Sequence, residues 1–279
     1  KVKHLKTGVS WNYKKSEDSF FDSYFFYQKR DFYSKLPFNF GGVIEIDRNY
    51  FGFGTKFTRN KNFENKKNSF VMGFDHLSQS DDRKRFKNNF GSRGDVTLSQ
   101  MENFDSTGFY LVNQTRFITG FLFRYGIRYD INSIGIDSSN KINLDKINPS
   151  LGLSYTINSS DNLFFSFGTS FETPTLNELS NNPDGSGFNK DLNSNNALNY
   201  EIGWRKSLTN IAFEVVAYIT NSDNEILPYE IEQFPGKNFY RNVGSTLRKG
   251  VELSSVLSFD HGFFSLNYTL SKNRFKDFI

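Results

Sequence analysis

The chain has 279 residues, 37% of them hydrophobic, a formal net charge of +4 and no cysteine. The lack of cysteine excludes disulfides, thiol catalysis and metal sites built on cysteine. Mean hydropathy is −0.57, and no stretch approaches the about 18 consecutive apolar residues of a transmembrane helix. Only a closed β-barrel would therefore carry this chain across a bilayer. The small net charge, with both signs spread along the chain, favours a solvated surface and no nucleic-acid partner.

The first part of the chain is rich in aromatic residues and then becomes polar. The whole sequence has 33 Phe and 14 Tyr, which favour strands and form the girdles of outer-membrane barrels. Residues 78–106 are polar and are predicted to be a long extracellular connection. The charged cluster at 81–87 could contact lipopolysaccharide phosphates or another anion, and a solvated loop is the preferred interpretation.

Alternation of apolar and polar residues with a period of two dominates the rest of the chain and predicts strands with one apolar face. No long segment has an apolar stripe at period 3.6, so we expect almost no helix. The clearest alternating segments, in chain order, are 121–131, 151–157, 163–167, 211–220 and 264–271.

The connections between these segments differ in length. Tight joins are predicted at 159–162, 208–210 and 260–262, and long polar ones at 132–148, 181–196 and 222–238. Short turns at one end and long loops at the other are required by an up-and-down membrane barrel, whereas a soluble sandwich gives no reason for them. The predicted fold is all-β: about twelve strands of an antiparallel up-and-down transmembrane β-barrel, part of a larger barrel.

Three charged residues lie on the polar face of the 121–131 segment. Alternation places Arg124, Arg128 and Asp130 opposite Phe121 and Ile131. A lumen arginine stays solvated, whereas a lipid-facing one costs about 2–4 kcal/mol at the midplane. Two roles remain open for the two arginines: they guide an anionic ligand such as a ferric chelate, or they pair with carboxylates of a plug domain inside the barrel. Asp130 is a further candidate for a side chain that faces the lumen.

No catalytic or metal constellation is found. The three histidines, His4, His76 and His261, fall in separate predicted strands or turns, whereas zinc needs about four converging ligands. No phosphate-binding loop and no nucleophile elbow occurs in the required context. We therefore expect neither an enzyme nor a cofactor.

Three motifs after residue 148 resemble the barrel domain of TonB-dependent receptors. Residues 171–179 are similar to the family's "F-x-x-P-x-x-x-E-L" loop entry, 201–203 to its "E-x-G" strand, and 240–252 to "Y-x-N-x-G…x-G-V-E". Residues 126–130 also match the "G-x-R-Y-D" strand of many members. The positions that carry the motifs are Phe171, Pro174, Glu178, Glu201, Gly203, Asn242, Gly244, Gly250 and Glu252.

The resemblance implies an outer-membrane receptor that imports a scarce nutrient with energy delivered by TonB. Iron–siderophore complexes are the default ligand, with cobalamin, haem or oligosaccharides as rivals. Its partners would be outer-membrane lipid and lipopolysaccharide, the ligand, and the TonB complex through a plug. Family barrels have 22 strands and a plugged lumen. We therefore expect residues 1–279 to be one barrel-domain fragment, without the plug and without both barrel ends.

Different classes of function remain as alternatives to the receptor. A passive porin would have no plug. An outer-membrane enzyme would need a His and Ser pair near one rim, and the three histidines offer poor candidates for such a pair. A soluble all-β binding module would pack its apolar strand faces against a second sheet.

Overall fold

The computed structural model describes residues 1–37, 41–137, 140–184 and 188–277, with residue 140 described by its backbone only. Within these residues, one 12-stranded sheet has its strands in sequence order, β1 to β12. Each strand pairs with its neighbour in antiparallel fashion, as in the register of β5 with β6 and of β10 with β11. The predicted up-and-down meander of about twelve strands is confirmed.

The strands alternate with connections that contain one short helix. Their bounds are β1 Val2–Ser16, β2 Ser19–Lys35, β3 Val43–Asn62, β4 Lys66–Asn89, β5 Ser92–Phe117, β6 Phe121–Ile136, β7 Asn140–Thr156, β8 Asp161–Glu172, α1 Leu176–Ser180, β9 Asn195–Ser207, β10 Ile211–Tyr229, β11 Phe239–Phe259 and β12 Gly262–Asp277. No helix of the described ranges is long and apolar enough to span a membrane.

The two faces of the sheet differ in chemistry. The face that carries Arg128, here the inner face, continues through its register partners Tyr110 and Asn148. The opposite, outer face carries Ile127 and Tyr129, which are 49% and 37% exposed. Because residues directly opposite each other in a ladder share a face, the alternation predicted for residues 121–131 extends across the sheet.

The two ends of the sheet differ in their connections. At one, here the short-turn end, consecutive strands are joined through residues 17–18, 63–65, 118–120, 157–160, 208–210 and 260–261. The other, here the loop end, has the connections 36–42, 90–91, 137–139, 173–194 and 230–238. The tight joins predicted near residues 160, 209 and 261 are confirmed.

The long connection predicted for residues 78–106 is wrong. Strands β4 and β5 run through it and meet at Phe90 and Gly91, whose φ angles are 49° and 89°. Their distal parts are joined by polar cross-strand contacts, such as the 2.8 Å ion pair of Arg83 with Glu102, so apolar alternation is missing. Strands β6, β7 and β10 likewise extend into the predicted loops at 132–148 and 222–238.

The buried core lies at the loop end, where the 173–194 connection folds back. Leu176 and Leu179 of α1 pack with Ile134 and Ile136 of β6, and Phe188 and Leu192 complete the cluster. Ile134 and Ile136 have the same strand parity as Arg128, so this connection covers the inner face. The core therefore holds this connection against the inner face of the sheet.

Candidate ligand-binding site at the loop end

A pocket of about 580 Å³ opens between connections at the loop end. We call it the mouth pocket. It is bounded by the β2–β3 connection, the distal part of β4, helix α1 with the residues after it, and the β10–β11 connection. Its lining residues include Leu36, Pro37, Ile44, Arg85, Asn177, Asn181, Phe234, Lys237, Asn238 and Tyr240. Four separate stretches of sequence thus converge on one cavity.

Two cations face the mouth pocket, Arg85 and Lys237. Arg85 donates from Nη1 to Oδ1 of Asn181 at 3.1 Å, and its buried Nε has no hydrogen-bond partner in the described structure. Lys237 Nζ lies 4.7 Å from the centroid of Phe239 and 5.4 Å from that of Phe234. Among the described residues, neither cation forms an ion pair with a carboxylate. The pocket lining therefore holds two cations that have no ion-pair partner in the described structure.

The ammonium of Lys237 is destabilised by its surroundings. Burial is the main cause that lowers its pKa, and the positive charge of Arg85 lowers that pKa further. A bound anion would relieve both effects, because an opposite charge within about 4–6 Å favours the charged form.

The backbone of the β10–β11 connection positions Lys237. Its N–H donates to the Phe234 carbonyl at 3.2 Å, and the Phe234 N–H donates to Ile231 at 3.0 Å. Gly236 has a φ of +78°, which glycine adopts without steric cost. Its N–H also donates to Oε2 of Glu230 at 3.3 Å. This tight turn directs the lysine back over the aromatic rings.

Several residues of the receptor-like motifs lie around the 173–194 connection. Pro174 is fully buried. Glu178 forms a capping box with Thr175: its Oε2 accepts from the Thr175 N–H at 2.7 Å, and its own N–H donates to Thr175 Oγ1 at 3.2 Å. Asn242 donates to the carbonyls of Asn193 and Asn224 at 3.0 and 2.7 Å. These contacts tie the connection to β11 and to β10 at Asn224, whose φ is 61°.

The motif glycines lie at close approaches within the sheet. A Cβ at Gly203 would overlap the ring of Phe164, and one at Gly250 would lie 2.9 Å from Oη of Tyr218. A Cβ at Gly244 would overlap the Asp277 backbone. Packing accounts for glycine at all three positions.

The remaining motif residues lie apart from the mouth pocket. Glu201 accepts a hydrogen bond from Ser166 Oγ at 3.2 Å. Glu252 is exposed and pairs in register with Val216. Phe171 lies at the end of β8, opposite Asn196.

The inner-face charges of β6 have different environments. Arg128 is held between two carboxylates: its Nη1 lies 2.9 Å from Asp75 Oδ2 and its Nε donates to Asp130 Oδ1 at 2.8 Å. Its guanidinium also lies 5.6 Å from the ring centroid of Tyr110. Arg124 is exposed and makes no ion pair within the described part of the chain. Arg128 is therefore satisfied within the sheet, whereas Arg124 is not.

Sequence reasoning missed the mouth pocket. Arg85 belongs to the charged cluster that was interpreted as a solvated loop, and Lys237 lies in a predicted polar connection. The available signals were three basic residues in a row at 83–85 and a lysine beside Gly236 and near two phenylalanines. Neither signal shows that the two cations meet in space.

The family model described as "TonB dependent receptor-like, beta-barrel" matches residues 2–278. The chain belongs to this family. TonB-dependent receptor barrels are outer-membrane proteins. In such barrels the periplasmic turns are short and the extracellular loops are long.

Comparison with known proteins supports the family assignment and shows how much of a whole receptor this chain covers. The vitamin B12 transporter BtuB of Vibrio vulnificus (strain CMCP6) is 36% identical over 111 residues, 39% of this chain and 16% of that protein. The siderophore receptor PiuA of Acinetobacter baumannii superposes with a TM-score of 0.75 at 15% identity, covering 99% of this chain and 47% of PiuA. The FrpB iron transporter of Neisseria meningitidis gives 0.73 at 16% identity, with 98% and 44% covered. The chain spans less than half the length of each.

Proposed function

We propose that the protein containing this barrel wall imports an anionic iron chelate of the ferric-siderophore class in TonB-dependent fashion. The mouth pocket takes part in capturing the chelate at the extracellular end. The observation that carries the proposal is the pair of cations Arg85 and Lys237, which share one cavity at the loop end and form no ion pair with a described residue.

The charge of the pocket supports an anionic ligand. A buried donor without a partner, such as Nε of Arg85, costs about 1–3 kcal/mol. A ligand oxygen that accepts from this group and from Lys237 would remove that cost and form charge-assisted hydrogen bonds, which are stronger than neutral ones. The ligand would thereby offset a penalty that the empty pocket carries.

The size and lining of the pocket suit a chelate with flat organic arms. Its volume of about 580 Å³ lies within the ~300–1,000 Å³ of small-molecule sites. Phe234 and Tyr240 offer apolar rings beside the cations, while Asn177, Asn181 and Asn238 offer amides. This combination of ring faces and polar groups is suited to an anionic ligand with apolar parts.

Family membership supports the receptor over the other classes considered from the sequence. The family consists of receptors and transporters, which argues against an outer-membrane enzyme. It also implies a plug that makes contact with TonB, which a passive porin lacks. A lumen-facing cation without a partner in the described wall, Arg124, is consistent with a plug carboxylate beside it.

The test uses the intact protein in an outer membrane that lacks other iron receptors. Uptake of radioiron bound to a panel of anionic chelators is measured with and without TonB. We expect TonB-dependent uptake that falls about 10- to 100-fold in Arg85→Gln/Lys237→Gln, which corresponds to the loss of about one charge-assisted bond of ~1.5–3 kcal/mol. A matched control, Lys87→Gln/Arg241→Gln, removes two cations of the same end outside the pocket lining.

Equal uptake in the two double variants would contradict the role of the mouth pocket. Uptake that persists without TonB would contradict the receptor assignment itself.

Cobalamin is a second candidate ligand. The 36% identity to a vitamin B12 transporter over 111 residues favours it. The same cells are therefore assayed with cyanocobalamin. Uptake of cobalamin without uptake of any iron chelate, and without sensitivity to Arg85→Gln/Lys237→Gln, would replace the iron proposal.

A further inference from the structure

The outer face carries an apolar groove of about 560 Å³ that crosses the sheet from β2 to β7. Its walls are two neighbouring rows of register partners. Phe57, Met72, Leu111 and Ile127 form one row, and Thr55, Phe74, Phe109 and Tyr129 form the other. The groove thus lies between successive rungs of the sheet.

The polar groups beside the groove are satisfied within the wall. The hydroxyl oxygens of Ser23 and Thr55 lie 2.8 Å apart and hydrogen-bond each other. Tyr129 Oη donates to Asp145 Oδ2 at 3.2 Å. Thr55 is small beside Phe57 and Phe74, which leaves a depression among the aromatic rings. The groove can therefore hold hydrocarbon without leaving these hydroxyl groups without a hydrogen bond.

The length of the groove matches one extended acyl chain. From β2 to β7 there are five inter-strand gaps of about 4.8 Å each, so it runs for about 24 Å. One leaflet contributes about 15 Å of hydrocarbon, half of the bilayer core. Strands in such barrels tilt by about 35–45°, so the groove runs obliquely and a chain of one leaflet can follow it.

Two cations lie on the same face, between the groove and the short-turn end of the sheet. Arg59 is two residues beyond Phe57 on β3, and Lys61 follows it with the same parity. Both side chains are exposed, and neither forms an ion pair with any residue that the structure describes. Below the groove on β4 and β5, Asn68 Nδ2 donates to Asn113 Oδ1 at 3.0 Å. A polar, positively charged patch therefore adjoins the apolar groove.

We infer that the groove and this patch form a binding site for one anionic glycerophospholipid of the periplasmic leaflet. Arg59 and Lys61 bind the headgroup phosphate, and one acyl chain lies between the Phe57 and Phe74 rows. The position of the cations decides which leaflet the lipid comes from. Short turns mark the periplasmic side, whereas lipopolysaccharide occupies the opposite leaflet. The site goes beyond the uptake function and does not depend on it.

The experiment measures lipid binding to the intact, delipidated protein by native mass spectrometry. Phosphatidylglycerol, phosphatidylethanolamine with the same chains, and lipid A are added separately. We expect one phosphatidylglycerol to bind at least 5-fold more tightly than phosphatidylethanolamine. Arg59→Gln/Lys61→Gln should abolish this preference, and Thr55→Phe, which fills the groove, should weaken both phospholipids at least 5-fold.

Matched controls alter the same face elsewhere. Lys249→Gln/Lys272→Gln removes two exposed cations that are register partners on β11 and β12, and Ala217→Phe adds a ring on β10. Both controls should leave phosphatidylglycerol binding unchanged. Unaltered binding in Thr55→Phe or in Arg59→Gln/Lys61→Gln would overturn the site. Tighter binding of lipid A than of phosphatidylglycerol would overturn the assigned leaflet.

Discussion

Arg48 and Asp81 form a two-pronged ion pair between β3 and β4, on the inner face near the loop end. Nε of Arg48 donates to Oδ1 of Asp81 at 2.8 Å and Nη2 donates to Oδ2 at 2.7 Å. The Asp81 side chain is fully buried, whereas that of Arg48 is 25% exposed. This paired geometry holds together strands that have no apolar alternation at this level.

Asp81→Asn should therefore destabilise the barrel wall. An amide cannot accept both guanidinium bonds, and the loss of one charged bond costs about 1–3 kcal/mol. The measurement is the guanidinium unfolding midpoint of the intact protein in vesicles. Asp82→Asn is the control, because Asp82 pairs with Lys84 at 39% and 40% exposure and such surface pairs contribute about 0–1 kcal/mol. Similar midpoints for the two variants would contradict a structural role for the Arg48 pair.

Gly108 tests the Arg128 cluster without removing a charge. A Cβ at this position would overlap the Arg128 guanidinium and lie 2.7 Å from Asp130 Oδ1. Gly108→Ala should thus displace Arg128 from Asp130, at a cost of about 1–3 kcal/mol for overpacking. Gly168→Ala is the matched control, since nothing lies within 4 Å of its added Cβ. The temperature of thermal unfolding should be lowered by Gly108→Ala only. An unchanged unfolding temperature in Gly108→Ala would show that Arg128 is free to move.

The capping box at Thr175 predicts how firmly the 173–194 connection is held. Thr175→Ala removes the acceptor of the Glu178 N–H and should cost about 1 kcal/mol. Amide hydrogen exchange at residues 176–180 should become about 5-fold faster, because local opening sets the exchange rate. Thr175→Ser keeps the hydroxyl and should exchange as the parent does. Unchanged exchange in the alanine variant would mean that packing of Leu176 and Leu179 alone holds the helix.

The sequence predicted the strands wherever one face is apolar, as in Phe121 to Ile131, since lipid or core burial imposes a period of two. The prediction of strands failed beyond the apolar band. There, Asp81, Arg83 and Glu102 each form an ion pair in strands that have no apolar face. The mouth pocket could not be predicted for another reason. Arg85 lies in β4 and Lys237 in the β10–β11 connection, and only the folding of the loop-end connections brings the two side chains together. Local patterns carry no information about that tertiary arrangement.

The inside–outside assignment of the wall can be tested at neighbouring positions of β6. Ile127 lies on the outer face and is 49% exposed, seven residues from the turn at Gly120 and thus near the middle of the apolar band. Ile127→Arg should impair insertion, because a lipid-facing arginine near the midplane costs about 2–4 kcal/mol. Arg124→Ala alters an exposed inner-face residue and should insert normally. The measurement is the fraction of protein that resists protease in the outer membrane, and equal tolerance of both changes would contradict the assignment of the two faces.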